Sequence, residues 1–381
     1  MREREPDPRR PTVETRFFDL PEECLPFKLR SGETLPDVRL AYELQGEVNE
    51  NADNVVLLFH ALTGSQHVAG FNPSVPGVDR WVEENQTGWW EGFVGPGLAV
   101  DTSRLAVLCV NYLGGCYGTT GPEAIDPRSG RRYGPEFPQV HLADIVESQL
   151  PLLDHLGITK LRGVAGASVG ALLSLSLAAR HPERVDSVIA LAGGLSGTTL
   201  HRMFNFEQKL AILNDPHFNG GWYYDGPFPA AGLTLARIIS HKSFVSIGAI
   251  EARARAEIID HPSVTHPVES YFWHQGQKLV IRFDPNSYLR IIDAWSNYDL
   301  LDDVNADSYV EALTVCRGQR WHVLTINSDV CFYPDEQKGM VEALREAGVD
   351  VTWERVDSPK GHDSFLTEPH LFEEALRRAL R

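Results

Sequence analysis

Short runs of branched and aliphatic residues alternate along the chain with longer stretches whose apolar positions recur every three or four residues. The runs VVLLFHA (55–61), LAVLCVNY (105–112), LRGVAGA (161–167), SVIALAG (187–193), RWHVLTIN (320–327) and DVTWERV (350–356) predict buried strands. A strand covered on both faces shows no polar side, so it reads as a near-continuous apolar run. Between these runs, LADIVESQLPLLDHLG (142–157) sets Leu142, Ile145, Val146, Leu150, Leu153 and Leu156 at helical spacing and stops at Gly157. PDEQKGMVEALREAG (334–348) opens with Pro334 and closes with Gly348, the pair that suits the two ends of a helix. PHLFEEALRRALR (369–381) predicts a last helix. Such alternation implies an α/β fold, a mostly parallel sheet with helices on both faces. Around residues 15–46, ETRFFDL, FKLRSGETL and VRLAYELQG predict an antiparallel edge ahead of the parallel part.

One region breaks the alternation. Residues 197–318 are helical, aromatic and irregular, with FNGGWYYDGPFP inside them. An insertion at this place would sit over the carboxyl ends of the strands, where open α/β sheets bind ligands. The expected organisation is therefore a core of residues 1–196 and 319–381 with a helical lid of residues 197–318.

Composition narrows the function classes. The chain has 381 residues, 43% of them hydrophobic, enough for a sizeable core. With 35 basic and 52 acidic residues its net charge is −17, which argues against nucleic acid or an anionic membrane as partner. Cys24, Cys109, Cys116, Cys316 and Cys331 are odd in number, scattered and without a CxxC pair, so neither a disulfide framework nor a zinc site is expected. No apolar run approaches the roughly 20 residues that cross a bilayer, and the charged MREREPDPRRP start carries no signal core. The expectation is a cytoplasmic protein with a frayed first dozen residues, no metal and no permanently bound cofactor.

The candidate chemistry centres on Gly166-Ala167-Ser168-Val169-Gly170, which follows a predicted strand and precedes a predicted helix. That is the context of a nucleophile elbow, a sharp turn that exposes a serine oxygen at the top of the sheet. A lone serine is a weak nucleophile and needs a base held by a third group. The elbow expects them in the order Ser, Asp, His. Asp329 follows a buried strand and His362 lies in the loop after the last one, so both fall where the order requires. His60 and His67 precede the serine, His181 lies at the far end of the next helix, and His241 and His266 fall in the lid. The oxyanion donors expected are the backbone N–H groups of Val169, after the nucleophile, and of Leu62, in the loop after strand 55–61.

HALTG (60–64), GWW (88–90), GPG (95–97), NYLGGCYGTTGP (111–122), YGPEFP (133–138), LLDHLGI (152–158), NDPHFNGGWYYDG (214–226), RFDPNSYL (282–289) and GHDSFL (361–366) occur in one order from about residue 30 to the C-terminus. In these the chain resembles the homoserine O-acetyltransferases of the α/β-hydrolase superfamily. The resemblance implies the same triad of Ser168, Asp329 and His362 and the same donors, Leu62 and Val169. It implies ping-pong transfer from acetyl-CoA through an acyl-serine to the hydroxyl of homoserine, within methionine synthesis. CoA would leave through a tunnel under the lid, and two copies would pair through the lid helices as a homodimer. Asp363 matches an acidic residue that helps hold the acceptor's ammonium. Lys209 falls where the family carries an arginine that grips the acceptor carboxylate, with Arg237 the next lid candidate. The chain departs from the family at the elbow, which reads Gly-Ala-Ser-Val-Gly-Ala, and at Phe244 and Val245, where Tyr-Arg is usual. These departures leave the acyl-enzyme chemistry intact and bear on the acceptor; within the transferase class, serine could replace homoserine, or succinyl-CoA could replace acetyl-CoA. An esterase or thioesterase would use the same triad with water, and a non-catalytic scaffold would keep the fold without acylating Ser168.

Overall fold

In the computed structural model, residues 11–254, 258–259 and 261–381 are described. Residues 1–10, most of the segment expected to fray, lie outside that set. Among the described residues twelve strands form: β1 (Arg16–Asp19), β2 (Phe27–Lys28), β3 (Thr34–Leu35), β4 (Arg39–Gln45), β5 (Val55–Phe59), β6 (Ala106–Val110), β7 (Ile125–Asp126), β8 (Arg131–Arg132), β9 (Gly163–Ala167), β10 (Ser187–Leu191), β11 (Arg320–Ile326) and β12 (Asp350–Val356). Eight of them make one sheet in the order β1-β4-β6-β5-β9-β10-β11-β12. The pairs from β6 through β12 are parallel, while β1 and β4 add an antiparallel edge. Of the three segments expected at that edge, the middle one departs: β2 and β3 form their own small hairpin.

The apolar runs are continuous because both faces are covered. Val55, Leu57 and Phe59 point into one buried cluster, and Val56 and Leu58 into another on the opposite side. The first cluster takes in Ile145, Val146 and Leu153 of α1 (Leu142–His155) and Leu172, Leu173 and Leu175 of α2 (Val169–Arg180). The second takes in Phe93, Phe372 and Leu376.

The excursion between β10 and β11 carries α3 (Thr199–Leu213), α4 (Ala230–Phe244), α5 (Ile247–Arg253), α6 (Pro267–Arg282), α7 (Pro285–Ser296), α8 (Leu300–Val304) and α9 (Tyr309–Thr314). The chain ends with α10 (Pro334–Glu346), α11 (Ser364–Thr367) and α12 (Glu373–Ala379). α3, α4, α6 and α7 pack on one another, whereas α8 lies against α2 and α9 against α10. The last two helices of the span 197–318 therefore belong with the core layer. Their buried residues Leu300, Ala312 and Leu313 join the cluster that holds α2 and Met340 of α10. The terminal helix is also shorter than its pattern suggests, because a 3-10 turn at Pro369–Leu371 precedes α12.

The order of strands positions the site. The chain enters the parallel part at β5, steps outward to β6, then reverses across β5 to β9. Loops leaving adjacent strands in opposite directions open a crevice at their carboxyl ends. The Phe59–Gly166 register sets the loop after β5 beside the turn after β9.

Candidate active site

Ser168 occupies the turn between β9 and α2 with φ 58° and ψ −127°. An L-residue with a side chain rarely adopts such angles, and they persist only where the surroundings enforce them. Here the enforcement is steric. A Cβ on Gly166 would stand 2.1 Å from the Gly170 carbonyl oxygen, and one on Gly170 would stand 2.2 Å from the Phe59 carbonyl oxygen. The Ser168 N–H donates to the Leu191 carbonyl at 3.0 Å, which ties the turn to the end of β10.

His362 and Asp329 come from loops after β12 and β11. His362 Nδ1 lies 2.7 Å from Asp329 Oδ2, and both side chains are buried. The other Asp329 oxygen, Oδ1, accepts the backbone N–H groups of Cys331 at 2.8 Å and Phe332 at 2.9 Å. With Nδ1 committed to the carboxylate, Nε2 is left buried with no hydrogen-bond partner among the described residues. Burial works to lower the pKa of His362, but the Asp329 charge, its hydrogen bond and Asp363 outweigh it and raise it above the ordinary value. The His362 loop is also stitched down: the Gly361 N–H donates to Ser328 Oγ at 3.0 Å, and the Asp363 N–H to the Phe244 carbonyl at 2.8 Å.

The five other histidines weighed from the sequence sit in different surroundings. His60 is stacked on Tyr112 at 3.6 Å, and burial pushes its pKa down to about 4. His67 pairs with Glu43 at 2.8 Å, and His181 with Glu147 at 2.9 Å. Burial, with help from Arg237, drives His241 to about 3. His266 caps the exposed start of α6.

A cavity of about 400 Å³ joins these pieces, a size suited to a small ligand. Ser168, His362, Asp363, Leu62, Arg237, Phe244 and Arg282 line it. The sequence-derived residues Ser168, His362, Leu62 and Asp363 thus share one space, and Val169 follows the serine at the first position of α2. Neither the Leu62 N–H nor the Val169 N–H has an acceptor among the described residues. Burial raises the Asp363 pKa, against the pull of His362, Arg237 and Arg253. A larger cleft of about 860 Å³, beside Arg80, Glu123 and Tyr224, holds none of Ser168, Asp329 and His362.

Lys209 is elsewhere. Its Nζ pairs with both oxygens of Asp293 on α7, at 2.9 and 3.0 Å, and it does not line the cavity. The buried stripe of α3 runs through His201, Asn205, Gln208 and Ile212, and Lys209 falls one residue off it. Its expected place against an acceptor is therefore corrected to a helix–helix ion pair. Two cations line the cavity, Arg282 of α6 and Arg237 of α4; the Arg237 guanidinium makes no hydrogen bond or ion pair among the described residues and lies 5.4 Å from the Phe244 ring centroid. The sequence did carry a signal for it: Arg237 shares a helical face with Leu233, Ser240 and Phe244, so an amphipathic reading of α4 turns it inward. Arg282 escaped notice because nothing local to RFDPNSYL marks it as facing a distant strand loop.

A family model for the alpha/beta hydrolase fold matches residues 54–248. The homoserine O-acetyltransferase of Solidesulfovibrio magneticus is 39% identical over 363 residues, which cover 93% of this chain and 89% of that protein. That of Symbiobacterium thermophilum is 41% identical over 364 residues, covering 93% and 92%. Among solved structures, the homoserine O-acetyltransferase from Bacillus anthracis superposes with a TM-score of 0.87 at 24% identity, covering 97% of this chain and 98% of that one. Esterase E22 superposes with a TM-score of 0.84 at 23% identity, so the fold itself serves both names. The extent of sequence identity, running through core and excursion alike, decides between them: the chain belongs to the homoserine O-acetyltransferase family of α/β-hydrolase-fold acyltransferases.

Proposed function

We propose that this chain moves an acetyl group from acetyl-CoA to the side-chain hydroxyl of L-homoserine through an acetyl-Ser168 intermediate. The observation that carries the reading is the cavity itself, in which Ser168 and the carboxylate-held His362 share one space with Asp363 and Arg237. His362 Nε2 takes the proton of Ser168 Oγ as the oxygen adds to the thioester carbonyl. The N–H groups of Leu62 and Val169 receive the oxyanion, helped by the positive end of α2. The thioester C–S bond then breaks and His362 returns the proton to the CoA sulfur. In the second half, His362 takes the homoserine hydroxyl proton, that oxygen adds to the acyl carbon, and Ser168 leaves with the proton restored. Asp363 suits the ammonium of an amino acid and Arg237 its carboxylate, a pairing that water as acceptor would not need. O-acetyl-homoserine would enter methionine synthesis.

Residues 197–296 serve in this reading as the lid that excludes water, since Arg237 and Arg282 reach the cavity from it. The homodimer is also proposed, through α3 and α4, whose exposed faces carry Met203, Phe206, Leu210, Leu213 and Leu235. An apolar stripe of this kind is a common mark of a protein–protein contact. Incubating the protein with acetyl-CoA or succinyl-CoA against homoserine, serine or water, and following CoA release and products, tests the assignment. O-acetyl-homoserine as the main product supports it. Hydrolysis that outpaces transfer at saturating homoserine would replace it with the esterase reading, which Phe244 favours by leaving an apolar ring 6.0 Å from His362.

A further inference from the structure

We propose that Arg282 is a positioning residue for acylation: from the end of α6 its guanidinium holds Thr63 in the conformation that presents the Leu62 N–H to the cavity. The inference rests on the reading of Ser168 as the nucleophile and of Leu62 as an oxyanion donor.

The loop after β5 turns through Ala61-Leu62-Thr63-Gly64, closed by the Gly64 N–H on the Ala61 carbonyl at 2.9 Å. Its third residue, Thr63, has φ 69°. A turn of that kind calls for Gly or Asn at this place, and a branched side chain there is a genuine outlier. Something other than local preference must therefore hold it. The Arg282 guanidinium donates through Nη1 to the Thr63 carbonyl at 2.7 Å and through Nη2 to Thr63 Oγ1 at 3.1 Å. Two prongs on one residue fix its orientation in a way a point charge cannot. The arginine is itself held in place. Nη1 also reaches Tyr117 Oη at 3.3 Å, and that hydroxyl donates to the Arg282 carbonyl at 2.8 Å. Glu84 Oε2 lies 3.8 Å from Nε. These contacts join a loop of the sheet to a helix 219 residues further along the chain. The geometry of the oxyanion loop thus depends on how α6 is seated.

The test uses the burst of 4-nitrophenol released from 4-nitrophenyl acetate, which reports acylation whether the second acceptor is homoserine or water. Wild type, Arg282→Lys, Thr63→Gly and the double variant are compared, with melting curves for each. Arg282→Lys is expected to slow acylation ten- to a hundredfold, the range for a lost hydrogen bond to a charged group, with little change in KM. In the Thr63→Gly background the same change is expected to cost less than about threefold, because glycine adopts φ 69° without a clamp. Thr63→Val, which removes only the Oγ1 prong, carries the prediction without touching Arg282 and is expected to slow acylation severalfold. An unchanged burst rate in Arg282→Lys and Thr63→Val would overturn the proposal. So would a loss confined to KM, which would make Arg282 a ligand contact, or an equal cost in both Thr63 backgrounds. A wild type that turns over acyl donor yet never acylates would sink the Ser168 reading itself, and this inference with it.

Discussion

His362 is pulled in two directions, and in the proposed mechanism the balance sets the pH at which acylation proceeds. Burial favours the neutral ring; Asp329, its hydrogen bond and Asp363 favour the charged one and prevail. A general base must be neutral, so acylation should fall as pH drops through an apparent pKa above the usual imidazole value of about 6.5. Replacing Asp329 by Asn removes the largest charge-stabilising influence and leaves burial, so the midpoint should move down. Ring-proton titration of His362 by NMR in Ser168→Ala and Ser168→Ala/Asp329→Asn proteins measures this directly; equal midpoints would contradict the balance described. The two lid cations should also behave differently. Lys209→Ala removes a part-exposed ion pair worth about 0.2–1 kcal/mol at most and should leave acceptor kinetics within about twofold. Arg237→Ala should lower acceptor kcat/KM by roughly ten- to a hundredfold while sparing acylation by acetyl-CoA, the loss of about 1.5–3 kcal/mol from a charged hydrogen bond. The reverse pattern would restore Lys209 as the carboxylate-binding residue.

The elbow between β9 and α2 works only because small residues let three segments meet. Besides the contacts at Gly166 and Gly170, a Cβ on Gly193 would stand 2.4 Å from the Cβ of Ala171. The Gly170 obstacle is backbone, which cannot swing aside, so Gly170→Ala should cost at least about 1–3 kcal/mol by overpacking. Gly318→Ala has open space at its Cβ and serves as the control. Urea unfolding of both variants checks the contrast; equal midpoints would show that the elbow can relax. Ala171 already fills the space beside Gly193. The elements themselves were largely legible from the chain. The apolar runs ended within two residues of the strand ends, and the paired Pro334 and Gly348 bracketed α10 as predicted, Gly348 taking φ 80°. The misses were at β2 and β3, where two-residue pairing is too short to leave a period, and at α12, where the 3-10 turn interrupts an unbroken helical pattern.

At the scale of the molecule, the exposed apolar stripe on α3 and α4 is the feature that asks for a partner. Phe206 is 59% exposed and Met203 56%, on a chain whose net charge of −17 otherwise favours solvation and separation. If two copies meet there, Phe206→Glu should yield a monomer in sedimentation velocity, with Ser168 still acylated. A wild type already monomeric at micromolar concentration would remove the homodimer from the picture. Among the described residues, no helix is long and apolar enough to cross a membrane.

Sequence alone determined what is local or ordered along the chain. The strand and helix runs, the elbow around Ser168, and the order Ser168, Asp329, His362 follow from spacing and residue type, because a turn, a cap or a buried run leaves its mark on consecutive residues. The tertiary structure decided which distant groups share a space. Lys209 and Arg237 lie 28 positions apart on neighbouring helices with the same charge; the face of α4 turns Arg237 inward, but which cavity it enters and that Lys209 meets Asp293 are set by packing. Arg282 meets Thr63 only because the excursion between β10 and β11 folds back over the carboxyl ends of the sheet, an encounter that no periodicity records.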